Sequence, residues 1–246
     1  MAGPFRDLTV NCSIMLADLP LLERPAAAAA AGFSAVEFWW PFESPVPGDR
    51  EVDAFLTAIS DAGVRLTGLN FYAGNMPDGE RGVLSSPSRS AAFRSSLEAT
   101  AAIAERTGCR GFNALYGLPE ENTVPAAQAD CAVENLAAAA DAVSSLGGTV
   151  LLEPLSGVPG YPLRTAADCF AVLERVHGTG RQNLACWRTS TTWPSTARTY
   201  RPSSPGTRRR SGTSSSPTLR DAVPPEPAAC LWNGGRRRPS PRATGD

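Results

Sequence analysis

Short apolar runs alternate along the chain with longer segments in which apolar positions recur every three or four residues. LTVNCSIML (8–16) reads as a buried strand, and LPLLERPAAAAAAGF (19–33) as an alanine-rich helix that Gly32 can end and Pro25 should perturb. AVEFWW (35–40), closed by Pro41, precedes the helical EVDAFLTAISDAGV (51–64), and RLTGLNFY (65–72) precedes SRSAAFRSSLEATAAIAERTGC (88–109). GFNALYG (111–117) is followed by VPAAQADCAVENLAAAADAVSSLG (124–147), and TVLLEPLS (149–156) by TAADCFAVLERVH (165–177). Five strand–helix units in series predict parallel pairing, because a right-handed crossover needs the helix to return the chain. Both a doubly wound sheet and an eight-unit TIM barrel satisfy that pattern.

Two features favour the barrel. IMLADLP follows the first strand where a dinucleotide fold would carry a glycine-rich phosphate loop. Polar residues also recur at strand ends, namely Asn11, Ser13, Glu37, Asn70, Asn113 and Glu153, and in a barrel those ends converge on one mouth. Glu153 is the sharpest candidate for chemistry: VLLEP sets a carboxylate after three apolar residues and before a proline that closes the strand. Glu37 has the same placement, with aromatic neighbours that leave a cross-strand hydrogen bond equally open. The Gly- and Asn-rich loop AGNMPDGERG (73–82) ends in Glu80 and Arg81 and suits either an anion-binding lid or an ordinary surface loop. His177, just before Gly178, suits helix capping rather than catalysis.

The net charge of −1 conceals an asymmetry. Residues 1–185 hold 12 Arg against 21 Asp and Glu, whereas residues 186–246 hold 11 Arg against 3 acids. All 23 basic residues are Arg, a bias that a GC-rich coding sequence supplies. Six cysteines (Cys12, Cys109, Cys131, Cys169, Cys186, Cys230) are scattered without a CxxC pair, which fits free thiols in a reducing cytoplasm. No signal-like or membrane-spanning run is visible, so a cytoplasmic protein without membrane contact is expected.

IMLADLPLLERPAAAAAAGFSAVEFWWPFESP, LNFYAGNMPDGERGV and VENLAAAADAVSSLGGTVLLEPLS, in that order, resemble the hydroxypyruvate isomerase family within the xylose-isomerase-like TIM barrels, over residues 8–184. The resemblance implies reversible conversion of hydroxypyruvate to tartronate semialdehyde, with isomerisation of 2-oxo-tetronate as the alternative. It implies a divalent cation, Mg²⁺ or Mn²⁺, held by two glutamates, a further acid and a polar ligand, the glutamates also moving the proton. Glu153 matches the first glutamate and so becomes the expected catalytic and metal-binding residue. Asn70, Glu80, Arg81 and Asn113 become expected substrate contacts, the substrate being a small hydroxy-oxo acid. A homo-oligomer is compatible with this reading.

The remaining family ligands belong to strands after residue 183, and there the pattern fails. The 61 residues from Cys186 to Asp246 contain 18 Ser plus Thr, 9 Pro and 11 Arg, and offer no apolar run for three buried strands. CWRTSTTWP can be encoded by codons that, read one base earlier, spell LLADLYHLA, a good strand ending in an acid and a histidine. The expected division is therefore five βα units over 1–184 and a frame-shifted, largely disordered segment over 185–246. The rival reading is an arginine-rich tail contacting nucleic acid through GTRRRSG and GGRRRPS, disfavoured because the change falls inside an unfinished βα repeat.

Overall fold

The structure, a computed structural model, describes residues 5–187. Six strands pair in sequence order, every pair parallel: β1 (Phe5–Asn11), β2 (Phe33–Phe38), β3 (Arg65–Asn70), β4 (Gly111–Leu115), β5 (Thr149–Glu153) and β6 (Leu184–Cys186). Helices α1 (Cys12–Met15) and α2 (Arg24–Ala30) return the chain to β2. Helix α3 (Asp49–Ala62) leads to β3, α4 (Ser90–Ser95) and α5 (Leu97–Thr107) to β4, α6 (Pro125–Ser144) to β5, and α7 (Ala166–His177) to β6. This is the expected TIM-barrel progression, and the described residues carry it as far as a three-residue β6.

Period-two alternation decides what each strand face meets. Val36, Phe38, Phe112, Ala114, Val150 and Leu152 are wholly buried toward the helices. They pack against Phe55 and Ile59 of α3, Ile103 of α5, Leu136 and Val143 of α6, and Leu173 of α7. The alternate residues Glu37, Asn113, Leu151 and Glu153 are only half-buried, because they lie on the concave face that a closed barrel would fill.

Local chemistry moves several boundaries from their expected places. Strand β1 stops at Asn11, whose side-chain oxygen accepts from the amides of Ser13 and Ile14 and starts α1. Pro25 opens α2 in the first turn, where its missing N–H costs nothing, rather than perturbing a longer helix. The expected helix over 88–109 divides at the buried Ser96, whose hydroxyl donates to the Phe93 carbonyl at 2.7 Å and competes with the helical ladder. The sixth strand extends past the expected domain boundary at 185; residues 188–246 of that segment lie outside the described residues. Among the described residues no helix is long and apolar enough to cross a membrane.

Helix α7 starts with a reciprocal cap. Asp168 N donates to Thr165 Oγ1 at 3.3 Å, and the Asp168 carboxylate accepts from Thr165 N at 2.8 Å. Thr165→Ala is expected to lower unfolding free energy by about 1 kcal/mol, read from urea denaturation followed by far-UV circular dichroism. An unchanged midpoint and slope would show that the cap adds nothing to the fold.

Candidate functional site

Parallel pairing brings the polar strand ends to one rim. Asn11 stands opposite Glu37, and its side-chain nitrogen donates to Glu37 Oε1 at 2.9 Å while its oxygen caps α1. The next strand carries Gly68 opposite Glu37. A Cβ there would lie 3.1 Å from Glu37 Cβ and 3.3 Å from Oε2, so the glycine makes room for the carboxylate. On the other side, Asn113 Nδ2 donates to Glu153 Oε2 at 2.6 Å.

Glu153 reaches this rim because β5 ends there and Pro154 cannot continue the ladder. Burial pushes its carboxyl up from 4.5 to about 7; the Asn113 hydrogen bond opposes that shift, and the negative charge of Glu37 adds to it. A carboxyl of that pKa is available near neutral pH both to accept and to return a proton.

Arg81 arrives by a different route. Glu80 Oε1 pairs with Arg89 at 2.9 Å, Glu80 Oε2 accepts from the Asn75 amide, and Arg89 also donates to the Tyr72 hydroxyl at 2.9 Å. Gly82, at φ +108°, bridges to Tyr116; any Cβ there would run into the Leu115 carbonyl. With the loop closed in this way, Arg81 Nη1 donates to the carbonyls of Met76 and Glu80 at 3.0 and 2.7 Å. Among the described residues Arg81 has no ion pair.

These elements enclose a cavity of about 450 Å³ whose wall includes Glu37, Asn70, Arg81, Asn113 and Glu153. That volume suits a small metabolite. Of the expected catalytic and substrate-binding residues, Glu80 alone is absent from the wall; it ties the loop that presents Arg81. Ser13 also lies outside the wall, its hydroxyl accepting from the Trp39 amide at 3.0 Å. Trp39, at the end of the AVEFWW run, supplies an apolar side together with Met76, Leu155 and Val158. The last three come from loops without periodicity, which the sequence reading did not assign. His177 sits away from the cavity, its ring 3.4 Å from the Leu184 carbonyl. Burial pushes the Cys12 thiol up to about 12 and that of Cys109 to about 11, which leaves both inert.

A divalent cation of the expected kind takes about six oxygen ligands. Among the described residues no three of His, Cys, Asp and Glu come together. Glu153 supplies one carboxylate, with Oε2 accepting from Asn113. The described residues alone therefore do not fit the cation.

The family model described as xylose isomerase-like TIM barrel matches residues 25–185. A putative hydroxypyruvate isomerase from Streptomyces coelicolor is 51% identical over 172 residues, 68% of this chain and 62% of the relative. A 2-oxo-tetronate isomerase from Cupriavidus necator is 36% identical over 177 residues, 71% of this chain and 64% of the relative. The chain thus spans less than two thirds of the length of these curated relatives. Among solved structures, an AP endonuclease, family 2, from Brucella melitensis matches with TM-score 0.61 and 30% identity, covering 73% of this chain and 66% of that one. A xylose isomerase-like TIM barrel protein from Mycobacterium smegmatis in complex with magnesium shares the fold at TM-score 0.54 and 14% identity, with 74% and 64% coverage.

A raised carboxyl pKa has a consequence for stability. Ionising Glu153 costs more in the folded than in the unfolded chain, so the cost is small below pH 4.5, grows as pH rises, and is complete above about 7. Glu153→Gln should therefore gain about 2–3 kcal/mol relative to the parent between pH 4.5 and 8. Urea denaturation at both pH values measures this difference; parallel pH dependences in the two proteins would contradict a raised Glu153 pKa.

Proposed function

The chain belongs to the xylose isomerase-like TIM barrel family, and from that premise we propose that its strands carry the N-terminal part of a sugar-acid isomerase site. The substrate is hydroxypyruvate and the product tartronate semialdehyde. The observation that carries the proposal is the Glu153 carboxyl at about pKa 7, held by Asn113 on the wall of a cavity that also contains Arg81. The hydroxypyruvate isomerase likeness of the Streptomyces coelicolor relative supports the choice of substrate.

In this reaction a base takes a proton from the hydroxymethyl carbon, leaving an enediolate; the proton returns to the neighbouring carbon, and the hydroxyl proton passes from the first carbon's oxygen, which becomes the aldehyde, to the former carbonyl oxygen. Glu153 performs both transfers: as carboxylate it accepts the proton, and its raised pKa lets it give the proton back. Asn113 fixes which oxygen remains available. Arg81 meets the substrate carboxylate, and the ties through Glu80 and Gly82 keep the guanidinium from swinging into solvent. The likeness of the Cupriavidus necator relative favours a second reading, 2-oxo-tetronate, which presents the same carboxylate and adjacent hydroxyl on a longer chain.

The site needs donors from further strands. We infer that from about Ala185 the chain is encoded in a shifted frame, as supported by two coincidences. The family match ends at Ala185, and the composition turns to Ser, Thr, Arg and Pro at the same place. Mg²⁺ or Mn²⁺ belongs to the frame-restored protein on this reading, where Glu153 is one of its ligands.

Resequencing the gene across the codons for Leu184 to Trp187 is expected to reveal an inserted or missing base, or a true lesion in the organism. The 246-residue chain should not turn over hydroxypyruvate above background, whereas the frame-restored protein should. In the latter, Glu153→Gln is expected to lower turnover by about 100- to 10,000-fold. A retained rate would remove Glu153 from proton transfer. Turnover by the present chain at about 1–1,000 per second would overturn the need for further strands.

A further inference from the structure

Two polar atoms on the cavity wall have no hydrogen-bond partner among the described residues: Asn70 Nδ2 and Asn113 Oδ1. Asn70 and Asn113 are register partners on β3 and β4, and Asn70 is only 6% exposed. The orientation of Asn113 follows from chemistry, since its nitrogen faces the Glu153 carboxylate at 2.6 Å and an oxygen there would be repelled. Its carbonyl must then be the end left over. A buried amide donor and a buried carbonyl acceptor, each unmet, cost about 1–3 kcal/mol apiece.

From this pair we infer that Asn70 and Asn113 form a subsite for a substrate hydroxyl adjacent to the reacting carbonyl. A hydroxyl both accepts and donates, so it satisfies the Asn70 amide and the Asn113 carbonyl together. A ketone or carboxylate only accepts and an ammonium only donates, and each leaves one atom unmet. A water can occupy the place before substrate arrives, and the hydroxyl then reproduces the water's bonds. The inference rests on the hydroxy-oxo acid reading of the cavity and adds its discriminating group. It also explains why Asn113 is shared: by holding Glu153 through Nδ2 and the hydroxyl through Oδ1, one side chain sets the carboxylate beside the carbon that bears that hydroxyl.

The direct test titrates the full 246-residue chain calorimetrically with hydroxypyruvate and with 2-oxobutanoate, in which a methyl group replaces the hydroxyl. Hydroxypyruvate is expected to bind about 10- to 100-fold more tightly, the worth of two hydrogen bonds at about 1 kcal/mol each. Asn70→Leu, of similar size but without donors, should weaken hydroxypyruvate by about tenfold and leave 2-oxobutanoate within about threefold. Equal affinities in the parent chain would overturn the hydroxyl subsite while leaving acid binding in place; binding of neither acid would overturn both. If Asn70→Leu does not fold, the ratio in the parent chain decides alone. A ratio that survives in a folded Asn70→Leu also refutes the assignment.

Discussion

Every strand of this sheet runs in the same direction, and the whole site depends on that constraint. Parallel pairing forces a return helix after each strand, the helices cover the outer face, and all the strand ends then meet at one rim. Residues separated by tens of positions become neighbours without any local motif joining them. Asn11 reaches Glu37 and Asn113 reaches Glu153 only because β1 lies beside β2 and β4 beside β5. The hydrophobic layer under α6 and α7 is thus part of the machinery, since it fixes the strand on which Glu153 stands.

The same geometry acts on the chemistry of Glu153. Its carboxylate accepts the Asn113 amide, yet burial raises its pKa and the charge of Glu37 reinforces that rise. A single amide hydrogen bond is too weak to offset loss of hydration, so the group is held at the cost of stability once ionised. Its position at a strand end keeps the backbone from relaxing that cost away, and on the proposed reading it is this group that moves the proton.

The repeating part of the fold was legible because its signals are periodic. Apolar runs marked β2 to β5, and the three- and four-residue spacing marked the helices between them. The strand-end rule also located Asn70, Asn113 and Glu153, which do share one cavity wall. What was not legible depends on single side chains competing with the backbone. Ser96 divides a helix by capturing the Phe93 carbonyl, and Asn11 ends a strand by capping the next turn. Glu80 shows the limit most clearly, because its neighbour in sequence lines the cavity while Glu80 itself turns to Arg89. No periodicity separates two adjacent loop residues; the left-handed glycines around them and the bridge from Gly82 to Tyr116 do.

Strand β6 separates two kinds of information. Its pairing to β5 uses Leu184, Ala185 and Cys186 opposite Val150, Leu151 and Leu152, and the Trp187 amide continues the ladder to the Leu152 carbonyl at 2.8 Å. These are backbone interactions, available to almost any residue other than proline. On the proposed change of reading frame a strand can still begin correctly, since Cys186 and Trp187 serve the ladder through their backbones. Side-chain chemistry lacks that tolerance. A ligand to a cation or a second proton carrier would be one particular side chain at one particular height on the inner face, and a change of frame would remove it even where backbone pairing survives.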